Sequence, residues 1–112
     1  MPSSPQKKQS VAHKVVLTAT ALDDLKSIFL YIADAAGIDI AEGYDRRIRG
    51  TCLSLADFPA RGTPRDDLMP GLRSIAFERQ ATIAYRIEGR QVLILRILHH
   101  GRDPAQGFDQ EP

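Results

Sequence analysis

With 112 residues, one cysteine and a formal net charge of +1, the chain suits a single modest core, one that buries about 65% of its unfolded surface. The balance of 43% hydrophobic and 26% charged residues is that of an ordinary globular domain, and the lone Cys52 excludes an internal disulfide and suits a reducing cytoplasm. No apolar run approaches the ~20 residues of a membrane span, no secretory signal opens the chain, and no Cys/His cluster or glycine-rich loop calls for a metal or another cofactor.

Residues 1–12 are polar, hold Pro2 and Pro5 and show no apolar period, so a flexible tail is expected there. A single domain is expected over 13–103, followed by a second tail over 104–112. "HKVVLT" from His13 to Thr18 reads as a short β-branched strand. In the next stretch Leu22, Leu25, Phe29, Ile32 and Ala36 recur at three- and four-residue spacing, the stripe of an amphipathic helix. Thr18 or Thr20 is its expected cap, Asp23 and Asp24 are expected in its positive first turn, and Gly37 can adopt the left-handed conformation that closes it.

A second helix is expected after a two-residue link, with Asp39 and Glu42 at capping-box spacing. Ala41, Tyr44, Ile48, Cys52 (or Thr51) and Leu55 form its stripe, and Pro59 stops it. So short a link implies an antiparallel helix hairpin. Both stripes are broad, so a sheet must lie beneath them. After the loop "PARGTPRDDLMPG" come three strand-like runs, "LRSIAFE", "ATIAYRIE" and "QVLILRIL". Ala81, Ile83, Tyr85 and Ile87 alternate with Thr82, Ala84 and Arg86, the period of a half-buried strand. Gly89 marks a tight turn into the last run, which is apolar on both faces except at Arg96 and is therefore interior. The expected fold is α+β: an N-terminal strand, then the helix hairpin, packed on a mainly antiparallel sheet that ends in a three-strand meander.

The chemistry-bearing residues collect late in the chain. All four lysines lie at or before Lys26, whereas eleven arginines run from Arg46 to Arg102, a set suited to carboxylate or phosphate. His99 and His100 end the last strand beside Arg102 and Asp103. Strand alternation sends the two imidazoles to opposite faces, which argues against a catalytic pair. Arg73 reads as an edge-strand side chain pairing with the Asp66–Asp67 loop. Arg96 needs an ionic or hydrogen-bonded partner, or water. Cys52, on an apolar helix face, reads as a buried inert thiol.

Strict alternation places Val92, Ile94 and Leu98 on one side of the last strand and Leu93, Leu95 and Ile97 on the other. Two helices cover one sheet face, so Val92, Ile94 and Leu98 become candidates for a groove that a partner helix would fill.

Three phrases in order, "LTATALDDLKSIFLYIAD", "PARGTPRDDLMPGLRSI" and "IAYRIEGRQVLILRILHHGRD", span about residues 14–103. Their set resembles the ParE branch of the ParE/RelE toxin superfamily. The resemblance implies the toxin of a type II toxin–antitoxin pair that inhibits DNA gyrase by binding and is neutralised by a ParD-like antitoxin. The RelE branch cleaves messenger RNA on the ribosome with sheet lysines and arginines and a C-terminal tyrosine. Here no lysine follows the second helix, Thr82 stands where a sheet arginine is expected, and Phe108 occupies the tyrosine position. Arg102 alone matches. Arg73, His99, His100 and Arg102, with the tail "PAQGFDQEP", are therefore the candidate target-facing residues, and no catalytic residue is assigned. The rival reading, a RelE-type mRNA endonuclease, would use His99 or His100 as base and Arg102 on the phosphate. Neither reading requires sequence-specific nucleic-acid contact.

Overall fold

The structure, a computed structural model, describes residues 12–100. All but Ala12 of the expected N-terminal tail and the whole expected C-terminal tail, with Arg102 and Asp103, lie outside them. In chain order the elements are β1 (Lys14–Leu17), α1 (Ala19–Ala36), α2 (Ile38–Ser54), a 3-10 turn (Pro59–Arg61), β2 (Thr63–Pro64), β3 (Leu72–Phe77), β4 (Ala81–Glu88) and β5 (Gln91–His99). The sheet order is β1-β5-β4-β3-β2. β1 pairs parallel to β5, and every other pairing is antiparallel. The expected α+β architecture is present, with two-residue β2 as an added edge.

Thr18 starts α1 and ties it to the sheet. Its hydroxyl accepts the Ala21 N–H at 3.2 Å and donates to the Ile94 carbonyl at 2.8 Å. Because the helix begins at Ala19, Asp23 and Asp24 lie past the first turn rather than in it, contrary to expectation. The buried stripe is Ala21, Leu25 and Ile28, with Ile32 packed against the core. Leu22, expected on that stripe, is turned toward solvent.

Gly37 (φ +101°, ψ 159°) is the whole link between the helices, one residue shorter than expected, and its N–H bonds the Ala33 carbonyl at 2.9 Å. Positive φ is glycine territory, although its ψ is extended rather than left-handed helical. The capping box does not form: Asp39 is already inside α2, whose N-cap is Gly37 with no side-chain bond. Ala41, Tyr44, Ile48, Cys52 and Leu55 are buried as the periodicity predicts. The helix ends at Ser54, and Leu55 caps it ahead of Pro59.

The two stripes close over Ile83, Tyr85, Val92, Ile94 and Ile97. A bulge breaks strict alternation here. Arg96 opposes Ala84 but Ile94 opposes Tyr85, so Leu95 is the extra residue. The bulge shifts the later part of β5 by one face. Ile97 joins Val92 and Ile94 in the core, while Leu98 moves to the side of Thr82. The grouping of Val92, Ile94 and Leu98 as one open groove is thereby corrected. Val92 and Ile94 are wholly enclosed by this chain and cannot touch a partner, while Leu98 stays half-buried.

Candidate functional site

The end of β5 separates its two histidines as alternation predicts. His99 turns under the helices, its ring 5.7 Å from both Tyr31 and Tyr44. His100 turns the other way, and its Nε2 lies 2.8 Å from the Thr82 hydroxyl. Its backbone N–H bonds the Gln80 carbonyl at 2.7 Å, holding the strand end against the start of β4. The two rings belong to two different clefts.

The cleft on the open sheet face has a volume of about 370 Å³ and is lined by Arg61, Gly62, Thr63, Arg65, Ser74, Ile75, Ala76, Thr82 and His100. Its floor follows from register: Ala76 opposes Thr82 and Ser74 opposes Ala84, so these small side chains share one face of β3 and β4. Its wall is the loop between α2 and β3, and buried groups pin that loop. The Tyr85 hydroxyl donates to the Pro59 carbonyl at 2.7 Å and accepts the Gly62 N–H at 2.9 Å. Arg73 donates to the carbonyls of Ala60 at 2.9 Å and Gly62 at 3.2 Å. A side chain at Gly62 would place its Cβ 2.5 Å from the Tyr85 hydroxyl and 2.8 Å from the Ser74 carbonyl oxygen, so only glycine fits.

Arg73 therefore shapes the loop instead of pairing with the Asp66–Asp67 segment, as the sequence had suggested. Those acids are used otherwise: Asp66 accepts the Gly71 N–H at 2.8 Å, and Asp67 pairs with Arg65 at 3.2 Å. The Arg65 guanidinium holds the Asp67 carboxyl below its ordinary range. Arg61 donates to the Ser54 hydroxyl at 2.7 Å.

The second cleft, of about 340 Å³, lies under the helices between Tyr31, Ile32, Ile40, Tyr44 and His99. Arg47 and Glu78 close its rim with a two-pronged pair at 2.7 and 3.0 Å, which holds the Glu78 carboxyl below its usual range. Burial, then the nearby Glu78 charge, pushes the Tyr44 phenol up from 10.0 to about 12. Burial likewise raises the Cys52 thiol from 9.0 to about 11, which makes it a poor nucleophile, as expected.

A general base needs a group that orients it. His100 has a hydroxyl beside it, and among the described residues no carboxylate lines its cleft. The arrangement supplies cations and hydroxyl donors for gripping an anion. Of the candidates from sequence, the structure brings His100 into this cleft, uses Arg73 to hold its wall, and sends His99 to the opposite side; Arg102 lies outside the described residues. Arg61, Arg65 and Ser74 were missed, and Gly62 in "PARG" was the one local signal for them. Among the described residues no group of three or more His, Cys, Asp or Glu side chains is placed to hold a metal, and no helix is long and apolar enough to cross a membrane.

The profile of the family described as ParE toxin of type II toxin-antitoxin system, parDE, matches residues 15–104. The chain is 34% identical over 85 residues to Toxin ParE3 of Caulobacter vibrioides, covering 76% of this chain and 84% of that protein. It is 32% identical over 83 residues to Toxin ParE1 of the same organism, covering 74% and 84%. Among solved structures it is similar to the chromosomal ParDE system from P. aeruginosa, with TM-score 0.70, 25% identity, and coverage of 79% of this chain and 96% of that one. It is also similar to the toxin–antitoxin complex RelBE2 from Mycobacterium tuberculosis, with TM-score 0.60, 26% identity, and coverage of 80% and 92%.

Proposed function

The chain belongs to the ParE family of type II toxin–antitoxin toxins, and from that premise we propose that it acts by gripping a protein target, DNA gyrase, and not by cutting RNA. A ParD-like antitoxin neutralises it, and both meet it in the cytoplasm. The observation that carries this reading is the surroundings of His100: arginines and hydroxyls, with no carboxylate among the described residues that line its cleft. Ribose-assisted cleavage of RNA needs a positioned base and an acid for the leaving oxygen. An imidazole beside a threonine hydroxyl, in a cleft with no lysine among its described lining residues, supplies one titratable group of the two. The P. aeruginosa ParDE likeness supports a ParD-like partner in particular.

The experiment is a gyrase supercoiling assay with antitoxin-free protein, run beside primer extension on translated messages. Loss of supercoiling or accumulation of cleaved DNA complexes at micromolar protein, with no new message ends, is the expected result. Unimpaired gyrase together with message cuts that disappear in a His99→Ala/His100→Ala variant would replace this reading by the endonuclease one, toward which the RelBE2 likeness points.

A further inference from the structure

We propose that the cleft over the open sheet face is a phosphate-binding site, shaped to take a nucleic-acid backbone without reading its sequence. This goes beyond the reading above, because it concerns a ligand contact that holds whichever protein is the target.

Four side chains from separate parts of the chain converge there: Arg61 and Arg65 from the loop, Thr82 from β4 and His100 from the end of β5. All can donate hydrogen bonds, and among the described residues no carboxylate lines the cleft to repel an anion. The volume of about 370 Å³ lies within the range of small-ligand sites.

The wall is also built in advance. Tyr85, Arg73 and the absence of a side chain at Gly62 fix the loop backbone between the two arginines. Ser54 donates to the Thr51 carbonyl at 2.6 Å and accepts from Arg61, which sets the direction of that guanidinium. Preorganised donors lose little freedom when the ligand arrives. Asp67 holds Arg65 from outside the lining, and with its side chain 65% exposed it can yield the guanidinium to a stronger anion cheaply.

The geometry favours phosphate over an acidic peptide. A planar carboxylate is satisfied by a single arginine fork. A tetrahedral phosphate presents oxygens in several directions, which donors from the loop, β4 and β5 can meet together. None of these groups is arranged to read a base edge, so affinity should follow charge and not sequence.

The test uses the full chain, free of antitoxin and gyrase, followed by amide NMR. The probes are a short mixed-sequence single-stranded DNA, the same DNA with its sequence scrambled, and a polyglutamate peptide. Both DNAs are expected to shift Ser74, Thr82 and His100 with equal affinity. Binding should weaken with salt, and Arg61→Gln/Arg65→Gln should lower affinity at least tenfold and flatten the salt dependence by about one to two charges. Ser74→Asp, which adds a carboxylate to the lining, should do the same with the melting temperature unchanged, and Arg46→Gln on α2 should have no effect. Shifts outside the cleft, undiminished affinity in the Ser74→Asp or double-arginine protein, or a response to polyglutamate alone would each overturn the proposal. Gyrase is absent from the assay, so its outcome stands apart from that of the supercoiling test.

Discussion

The carboxylate of Asp24 on α1 grips the Arg96 guanidinium on β5 at 2.8 and 3.1 Å and also takes the Ile97 N–H at 2.8 Å. The contact sits just beyond the bulge, past the last β1–β5 pair at Leu17 and Ile94. There, among the described residues, β5 has no strand beside it on that edge. A helix carboxylate replaces the missing strand, first by hydrogen bonding an edge N–H and second by pairing with the arginine. Arg96 is 47% exposed, so the ion pair alone contributes under about 1 kcal/mol. The N–H bond to a charged acceptor is worth more. Asp24→Ala is expected to cost about 2 kcal/mol in urea unfolding, Asp24→Asn about 1 kcal/mol, and Arg96→Gln less than either. An Arg96→Gln loss equal to that of Asp24→Ala would place the energy in the salt bridge instead.

Tyr85 and Gly62 should be coupled. Tyr85→Phe leaves the Gly62 N–H and the Pro59 carbonyl without their shared partner in a buried place, at a cost of about 2 kcal/mol. Gly62→Ala forces a Cβ against the Tyr85 hydroxyl and the Ser74 carbonyl, at about 2–3 kcal/mol. Removing the hydroxyl relieves one of those two clashes. The double variant should therefore be more stable than the sum of the single losses, by about 1 kcal/mol in a double-mutant cycle. Strict additivity would show that the Ser74 carbonyl carries the whole clash.

The parts of this architecture that were legible in sequence are those with a long period. Ala41, Tyr44, Ile48 and Cys52 repeat along α2 and Leu55 continues the stripe at its cap, and each is buried. The opposed directions of His99 and His100 follow from strand alternation alone. The bulge at Leu95 was hidden because "VLILRIL" is apolar on both faces, so inserting a residue disturbs no visible pattern. Arg61 and Arg65 were overlooked for a related reason. Their approach to Thr82 and His100 depends on β2, and two residues are too few to show a period. Asp24 looked like a dipole partner because helix ends read from sequence are uncertain by a residue or more.

The β3–β4 turn stores strain that a single substitution can release. Glu78 and Arg79 both hold positive φ, at +49° and +60°, a region that side chains with a Cβ enter at a cost. Glu78 has compensation through its pair with Arg47 across the second cleft. Arg79→Gly should stabilise the chain by about 0.5–1 kcal/mol, seen as a rise in the urea midpoint with an unchanged slope. Glu78→Gly should gain less or lose stability, because it also breaks the Arg47 pair. Equal gains at both positions would show that the pair contributes nothing.

Alkali should loosen the core through two buried acids. In the folded chain the Cys52 thiol is raised from 9.0 to about 11 and the Tyr44 phenol from 10.0 to about 12, each chiefly by burial. A raised folded pKa means that the folded state holds its proton after the unfolded state has released it. The stabilisation is thus complete below pH 9 and drains away between pH 9 and 11 for Cys52, and between pH 10 and 12 for Tyr44. Each group should remove about 2–3 kcal/mol at most across its own window. Melting temperatures followed from pH 8 upward should be flat and then fall. Tyr44→Phe should abolish the part of the decline above pH 10, and Cys52→Ala the part that begins near pH 9, whatever their stability at neutrality. A thiol reagent at pH 8 should react with Cys52 only as fast as the chain unfolds, because the Cys52 side chain is fully enclosed beneath α2. Rapid labelling of the native protein, or an alkaline decline unchanged in both variants, would mean that the helix hairpin opens to water far more readily than its packing implies.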